Sequence, residues 1–465
     1  MTNDLMQKPF RISSFLEYVQ YFGDPQRQSI NVTVNKLDEP INATAPSPSN
    51  FLMYYGVRSF YDNGGGPCYI FSLGTYPSSN PTSTNLYDDS GANSALNQIK
   101  KVDEITLLVF PDLASLSEDN FYAVYKKALM QCGDLKDRFT IMDVYPNADM
   151  TTGIDSFRNK IGTTELKFGA AYFPYLRSVF NYNYTNSDIT LSQTDGYLNL
   201  LKFGDVVGLL KANSLGDVLN KAILDLTSDN KNDRLKLLNT TWTEMQQFSN
   251  DAATAIAVQD AIDLINTDLA GGITVSSASS TALTNAANAF KDKLNESIKT
   301  SASRGLSSPP APSSKIAANT TAQNIALLGP IVTDAFYAKV IDVIAKLYVE
   351  LPPSASIAGV YAYVDRTRGV WKSPANVTVQ SVIEPMFKVS DAEQASLNVS
   401  DTGKSINVIR TFTGRGVQVW GARTLDGNSN EWRYISVRRF FNMVEDQLKK
   451  HRSHLYLSPI MQTHG

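Results

Sequence analysis

The chain has 465 residues, 43% hydrophobic and 19% charged, enough to bury a large core and to divide into roughly two to four domains. Its 42 Lys and Arg against 45 Asp and Glu leave a formal charge of -3, which provides no electrostatic basis for capturing nucleic acid or an anionic membrane. The N-terminus MTNDLMQKPF lacks the basic and apolar regions of a signal peptide, and no run approaches the ~18 apolar residues of a membrane helix, so synthesis and initial retention in the cytosol are expected.

In residues 1–100, Ser14 is placed to cap a helix through Phe15, Leu16, Tyr18 and Val19 that ends at Gly23 with Pro25 beyond it. INVTVNKL alternates like a strand with one buried face, and CYIFSLG reads as a short buried strand reached through the NGGGP turn. EITLLVFPD and RFTIMDV are continuous apolar runs expected of strands covered on both faces, and between them FYAVYKKALMQCG reads as an amphipathic helix closed by Gly133. Strand, helix, strand in this order predicts a βαβ unit with a parallel sheet, to which LKFGAAYFPYL adds a further strand.

From about 185 to 335 the composition shifts to Asn, Thr, Ser and Ala. Helical stretches such as LLNTTWTEMQQFSNDAATAIAVQDAIDLI and LTNAANAFKDKL alternate with the linker-like breaks SSASSTALT and SSPPAPSSK, as in an inserted outer domain. AFYAKVIDVIAKLYVEL predicts an amphipathic helix stopped by Pro352-Pro353, and GVYAYVD a strand with which the α/β domain resumes. In the last block INVIRTF and VQVWGARTL read as strands, the turn DGNSN separates them from the strand-like WRYISV, and RRFFNMVEDQLKK is a helix. The expected division is 1–100, 101–184 with 336–375, an insertion at 185–335, a small α+β domain at 376–450, and a tail at 451–465.

Catalytic chemistry finds little support. All three histidines, His451, His454 and His464, lie in the C-terminal tail, which removes Ser-His-Asp and Cys-His catalysis and most zinc sites from the rest of the chain. Cys68 and Cys132 can form neither a disulfide framework nor a zinc cluster and read as small core residues. The acidic pairs Asp103-Glu104 and Glu445-Asp446 read as solvated surface. Gly403-Lys404-Ser405 looks like the end of a P-loop, but Asn398 stands where the first glycine should be, and a strand follows where a helix N-terminus is required. It is expected to be a turn that binds no nucleotide, and no cofactor or metal is expected elsewhere.

The segments PPSASIAGVYA (Pro352 to Ala362), RGVWKSPAN (Arg368 to Asn376), VWGARTL (Val419 to Leu425) and WRYISVRR (Trp432 to Arg439), in this order, resemble the tail sheath family of contractile phage tails and phage-tail-like injection systems. SFLEYVQYFG, NGGGPCYIFSLG and FGAAYFPYL extend the resemblance over most of the chain outside 185–335, and the start of the chain looks closest to extracellular phage-tail-like particles. The resemblance implies an α/β multidomain fold: a parallel-sheet βα domain of subtilisin-like topology without a catalytic triad, an inserted outer domain and a small C-terminal α+β domain. It further implies hexameric rings stacked around an inner tube, contacts with baseplate and cap proteins, and a metastable extended state whose shortening drives the tube through a target membrane. Particles of that kind assemble in the cytoplasm and act outside the cell or as part of a virion tail.

Assembly or structural roles then fall on Arg366, Arg368, Trp371, Trp420, Arg423, Trp432, Arg438 and Arg439. Trp371, Trp420 and Trp432 are expected to be core anchors, and Arg366 and Arg368 surface charges in the turn after GVYAYVD. Arg438 and Arg439 open a helix, against its dipole, and so call for carboxylates within the fold or on a neighbouring subunit or tube.

Both ends depart from the family, whose members carry an N-terminal arm before the KPFRISSFLEY segment and continue past the helix matching FFNMVEDQLKK through a F-E-P-N stretch. Moving the reading frame two bases over plausible codons for LSPIMQTHG spells FEPNYANTW, so a frameshift is expected in the tail. Without the arms that add strands to neighbours' sheets, the isolated chain is expected to fold but to polymerise poorly. Two other readings are an α/β hydrolase-like or nucleotide-binding enzyme with an inserted cap, which the βαβ pattern alone permits, and a surface adhesin suggested by the Asn/Thr/Ser-rich region.

Overall fold

A computed structural model describes residues 5–35, 39–49, 51–76, 86–87, 94–193, 239, 242, 252–270, 275–304 and 334–457. The chain forms two compact units: Met1–Gln26, Ser49–Tyr182 and Tyr348–Gly465 make the first, and Arg27–Pro48 with Asn183–Leu347 the second. Where five parts are expected, the chain clusters into these two units, each assembled from separated stretches.

The first unit is built on a five-stranded sheet. Strands Leu107–Leu108, Phe139–Asp143, Gly169–Phe173 and Ile406–Phe412 lie side by side in chain order and parallel, and Gly416–Trp420 returns antiparallel on the last of them. Every residue of Phe139–Asp143 and Gly169–Phe173 is buried, which is why their sequences are unbroken apolar runs rather than alternating ones. One face packs Met142 and Val408 against Phe121, Tyr122, Tyr125 and Phe157; the other packs Phe139, Ile141, Tyr172 and Ile409 against Ile357, Tyr361, Val364 and Ile435. The hairpin at 406–420 completes this sheet, so the expected separate α+β domain at 376–450 is not formed.

Several local expectations need correction. The EITLLVFPD run supplies only the two-residue strand Leu107–Leu108 before a short 3-10 turn at Pro111–Ser115. The helix after it runs Glu118–Leu135 and ends on Lys136 in the left-handed region (φ 60°), so Gly133 lies inside the helix, where Glu165 packs over it. GVYAYVD is helical: it is the second half of Ser354–Arg368, a helix begun by Pro353. Its first half is buried almost all round, which erases the 3.6-residue alternation, and the Val and Tyr content then imitates a strand. WRYISV forms no strand beyond an isolated bridge from Arg423 to Tyr434; the helix Ile435–Leu457 starts within it. That helix covers residues 451–457 of the tail, and residues 458–465, with the frameshift segment, lie outside the described residues.

The N-terminal helix Phe15–Phe22 has the expected caps, with Ser14 Oγ accepting the Glu17 N–H at 3.2 Å and Gly23 at φ 82°. Cys132 is buried, whereas Cys68 is half-buried at the start of strand Cys68–Phe71, which pairs antiparallel with Pro9–Ile12. A third sheet of this unit holds Leu176–Asn181 between Tyr348–Leu351 and Val382–Pro385.

In the second unit Ile30–Val34 pairs antiparallel with Pro40–Thr44 and parallel with Ile189–Gln193. Helix Asp334–Ala345 packs Phe336, Val340 and Ile344 on Ile30, Val32 and Leu191. This helix stops at Ala345, not at Pro352, and YVEL is a strand of the first unit. Helices Ala252–Ala270 and Ser277–Arg304 form a pair around Ile262, Ile265, Leu283, Phe290 and Trp242, so most of SSASSTALT is helix rather than linker. SSPPAPSSK lies outside the described residues.

Candidate functional site

The residues singled out by sequence fall into an interior group and an exposed group, both in the first unit. The interior group begins with Arg439, whose guanidinium makes a two-pronged contact with Asp365: Nη1 to Oδ1 at 2.9 Å, and Nη2 to Oδ2. It also lies over the Tyr361 ring at 4.8 Å, and the Tyr361 hydroxyl meets that of Tyr172 at 2.8 Å. Arg438 donates Nε to Asn442 Oδ1 at 2.8 Å and Nη2 to Glu445 at 2.7 Å, with its guanidinium 4.3 Å over Trp432 and 4.8 Å over Phe168. A cation in the first turn opposes the helix dipole, and here carboxylates on the same chain compensate each charge.

Arg423 is held by the Asn407 side chain, whose Oδ1 accepts the Arg423 N–H at 2.7 Å while its Nδ2 donates to the carbonyls of Arg423 (2.8 Å) and Ala171 (3.1 Å). Arg423 Nη1 donates to the Gly427 carbonyl at 2.8 Å. Trp420 packs on Phe412 with ring centroids 4.5 Å apart. These contacts tie the last strand and the C-terminal helix to the parallel sheet.

The exposed group departs from expectation. Trp371 is 66% exposed and is not a core anchor. It follows Gly369 at φ 91°, and its ring folds back over that glycine, where a Cβ at 369 would collide with it. Arg366 and Arg368 are exposed in the last turn of helix Ser354–Arg368, not in a turn after a strand; Arg366 donates to the Gly64 carbonyl at 3.1 Å. Cations at this end complement the helix dipole.

The P-loop-like triplet is a turn, with Gly403 at φ 74° leading directly to strand Ile406–Phe412. Lys404 donates its ammonium to the Arg158 carbonyl, and burial lowers its pKa; Ser405 Oγ donates to the Asn398 carbonyl at 2.6 Å. Both groups a phosphate would need are thus engaged inside the fold. Glu104 meets Arg11 at 3.4 Å, and Asp446 meets Lys450 at 2.6 Å, so these acids lie in ordinary ion pairs. Among the described residues no cluster of His, Cys, Asp and Glu is arranged to hold a metal ion, and no helix is long and apolar enough to cross a membrane.

Sequence reasoning missed two buried ionisable groups, Arg138 and Asp143, and the half-buried Asp112. Arg138 is fully buried and donates to the carbonyls of Ile99 (3.1 Å) and Val102 (3.3 Å) and to Asp137. Asp143 accepts from Ser354 N at 2.8 Å, Ser354 Oγ at 2.6 Å and Tyr125 Oη at 3.1 Å; burial pushes its pKa up to about 7 against the pull of these donors. Asp112 accepts from the N–H groups of Leu52 (2.5 Å) and Met53 (2.7 Å), and burial raises it to about 6. The available signal is positional: each of these aspartates lies at the end of an apolar run, TIMD or LLVFPD.

Comparison with known proteins points one way. Residues 247–425 match the phage tail sheath protein central domain. A putative prophage major tail sheath protein of Pseudomonas aeruginosa (strain UCBPP-PA14) is 28% identical over 100 residues, which is 21% of this chain and 25% of that protein, so the chain matches only about a quarter of that relative's length. Among solved structures, the sheath of the extracellular contractile injection system PVC in the contracted state superposes with a TM-score of 0.46 at 18% identity, covering 100% of this chain and 68% of that one. The contracted helical sheath of the anti-feeding prophage gives 0.44 at 20% identity, covering 100% and 69%. Residues 247–425 are thus similar to the central domain of phage tail sheath proteins, and the family the chain resembles is that of the tail sheath proteins.

Proposed function

We propose that this chain is a structural subunit of a contractile tail sheath and not an enzyme. The observation that carries the reading is the match of residues 247–425 to the sheath central domain. The interior supports it in a second way: the residues that imitate catalytic or nucleotide-binding groups are engaged in holding elements together, as Lys404 and Ser405 are. On this reading subunits form hexameric rings stacked around an inner tube, with baseplate and cap proteins at the ends, and contraction drives the tube through a target membrane. Assembly takes place in the cytoplasm and action outside it. The sheet order, parallel strands in chain order, is consistent with the subtilisin-like comparison. Trp420, Arg423, Trp432, Arg438 and Arg439 are then structural, and Arg366, Arg368 and Trp371 are available for contacts between subunits.

The test is co-expression with the genes encoded beside it, followed by electron microscopy of purified particles. Striated cylinders containing this chain are expected. Absence of the chain from any tail-like particle made by the complete gene cluster would overturn the proposal.

A further inference from the structure

Helices Met53–Asp62 and Ser354–Arg368 approach unusually closely. Ser59 and Ser356 share a buried hydroxyl contact at 2.7 Å, and Gly56 lies where a Cβ would stand 3.4 Å from that of Ala355. A Cβ on Gly359 would stand 2.8 Å from Asn63 Cβ and within the contact distance of the Phe60 carbonyl. Backbone packed this closely leaves little room for sliding, so the pair holds its register only while both helix starts stay in place.

Both helices start on a carboxylate supplied by the parallel sheet. Asp143 ends strand Phe139–Asp143 and holds Ser354; Asp112 follows the neighbouring strand Leu107–Leu108 and holds Leu52 and Met53. The titratable groups facing Asp143 are the phenols of Tyr125 on helix Glu118–Leu135 and Tyr175 beyond strand Gly169–Phe173. Those facing Asp112 are Tyr18 on helix Phe15–Phe22 and Tyr76. Among the described residues neither carboxylate has a cationic partner, so each negative charge is supported by neutral donors alone.

We propose that Asp112 and Asp143 form a proton-sensitive clamp that fixes the starts of this helix pair to the sheet. The atoms define how a proton is accommodated. At Asp143, Oδ1 accepts a backbone N–H, which cannot reverse, while Oδ2 faces the Ser354 hydroxyl, which can rotate to accept, and the Tyr125 hydroxyl, whose oxygen also accepts the Asp143 backbone N–H at 3.1 Å. The proton therefore belongs on Oδ2. At Asp112, Oδ1 accepts both backbone N–H groups, so the proton again belongs on the other oxygen. Protonation thus keeps the helix starts in place but replaces charge-assisted hydrogen bonds with weaker neutral ones.

Burial raises both carboxyls, to about 6 for Asp112 and about 7 for Asp143. A carboxyl whose folded pKa lies above its unfolded one binds protons more tightly when folded, so these two groups favour the folded state increasingly as pH falls from about 7 towards 4. Opening a helix start to water would return its carboxyl to an ordinary pKa, so by the same linkage the clamp opens less often in acid while the domain as a whole gains stability, the reverse of ordinary acid unfolding.

The experiment is a carboxyl-carbon NMR titration of the full chain labelled in aspartate, with Asp112→Asn, Asp143→Asn and Tyr125→Phe. Two resonances titrating about two to three pH units above ordinary aspartates are expected, one lost in each Asn variant. Amide exchange at Met53 and Ser354, corrected for the intrinsic pH dependence, should fall at least threefold between pH 8 and 5. Tyr125→Phe removes one donor to the charged form, together with the acceptor of the Asp143 backbone N–H, and should move the Asp143 midpoint upward; it keeps both carboxyls in place, so the test stays valid if an Asn variant fails to fold. Titration of every aspartate below about pH 5, or corrected exchange that is unchanged or rises in acid at both helix starts, would overturn the proposal. Neither outcome depends on whether the chain is a sheath subunit.

Discussion

The contact between Arg439 and Asp365 lends itself to a quantitative test because its two ends differ in exposure. The Arg439 side chain is 8% exposed and the Asp365 side chain 29%, so the two single deletions leave different residues stranded. Asp365→Ala leaves a guanidinium buried against Tyr361 without its counter-charge; removal of one partner of a fully buried pair costs ~3–5 kcal/mol, and partial solvent access at Asp365 brings the expectation to ~2–3. Arg439→Met keeps most of the packing and leaves a carboxylate that water can reach, at a cost of ~1–2 kcal/mol including the lost contact with the aromatic ring. The double variant Arg439→Met with Asp365→Leu should then be less destabilised than the sum by ~1–2 kcal/mol. The assay is urea unfolding followed by tryptophan fluorescence in a Trp242→Phe background, where Trp371, Trp420 and Trp432, all in the first unit, are the remaining reporters. A coupling below ~0.5 kcal/mol, or a larger loss for Arg439→Met than for Asp365→Ala, would refute the assignment of this pair as a buried fastening between the two helices.

Gly359→Ala places a methyl against the Phe60 carbonyl and Asn63 Cβ, neither of which can swing aside, and should cost ~2–3 kcal/mol in the same unfolding assay. Trp371→Ala should change stability by less than ~0.5 kcal/mol yet remove much of the acrylamide-quenchable emission, since Trp371 is the exposed indole among the described residues. A fragment limited to residues 247–425 should show no cooperative unfolding by near-ultraviolet circular dichroism, because its strand Ile406–Phe412 would lack the parallel neighbour Gly169–Phe173.

What could be read in the sequence follows from which interactions are local. The Ser14 and Gly23 caps are set by groups within a few residues of each other and are found where the sequence places them. The parallel strands Phe139–Asp143 and Gly169–Phe173 were legible because burial on both faces writes an uninterrupted apolar run. Helix Ser354–Arg368 was misread for the same reason in reverse: enclosed by the sheet on one side and by helix Met53–Asp62 on the other, it has no polar stripe to betray its period over the first turns. Trp371 was misplaced because residue type was used as a guide to burial, whereas the left-handed Gly369 before it turns the indole outward. Asp365 and Asn407 carried no motif at all, since each acts on a partner distant in sequence, Arg439 and Ala171 respectively.

The same distinction explains why the stretch similar to sheath proteins and the physical domain do not coincide. Residues 247–425 take in the paired helices Ala252–Ala270 and Ser277–Arg304 of the second unit as well as helix Ser354–Arg368 and the 406–420 hairpin of the first. The sheet that hairpin completes depends on strands at 107–108, 139–143 and 169–173, all outside the matched range. Ile406–Phe412 is therefore held by a parallel partner more than 200 residues earlier in the chain, a contact whose loop-closure cost must be met before the sheet can form. Local caps and turns cannot meet that cost. The long-range fastenings do: Asn407 to the Ala171 carbonyl, Lys404 to the Arg158 carbonyl and Asn442 to the Arg138 carbonyl each join the C-terminal segment to backbone of the earlier sheet layer. Asn407, Lys404 and Asn442, buried and polar in the last third of the chain, are thus explained by assembly of a discontinuous domain.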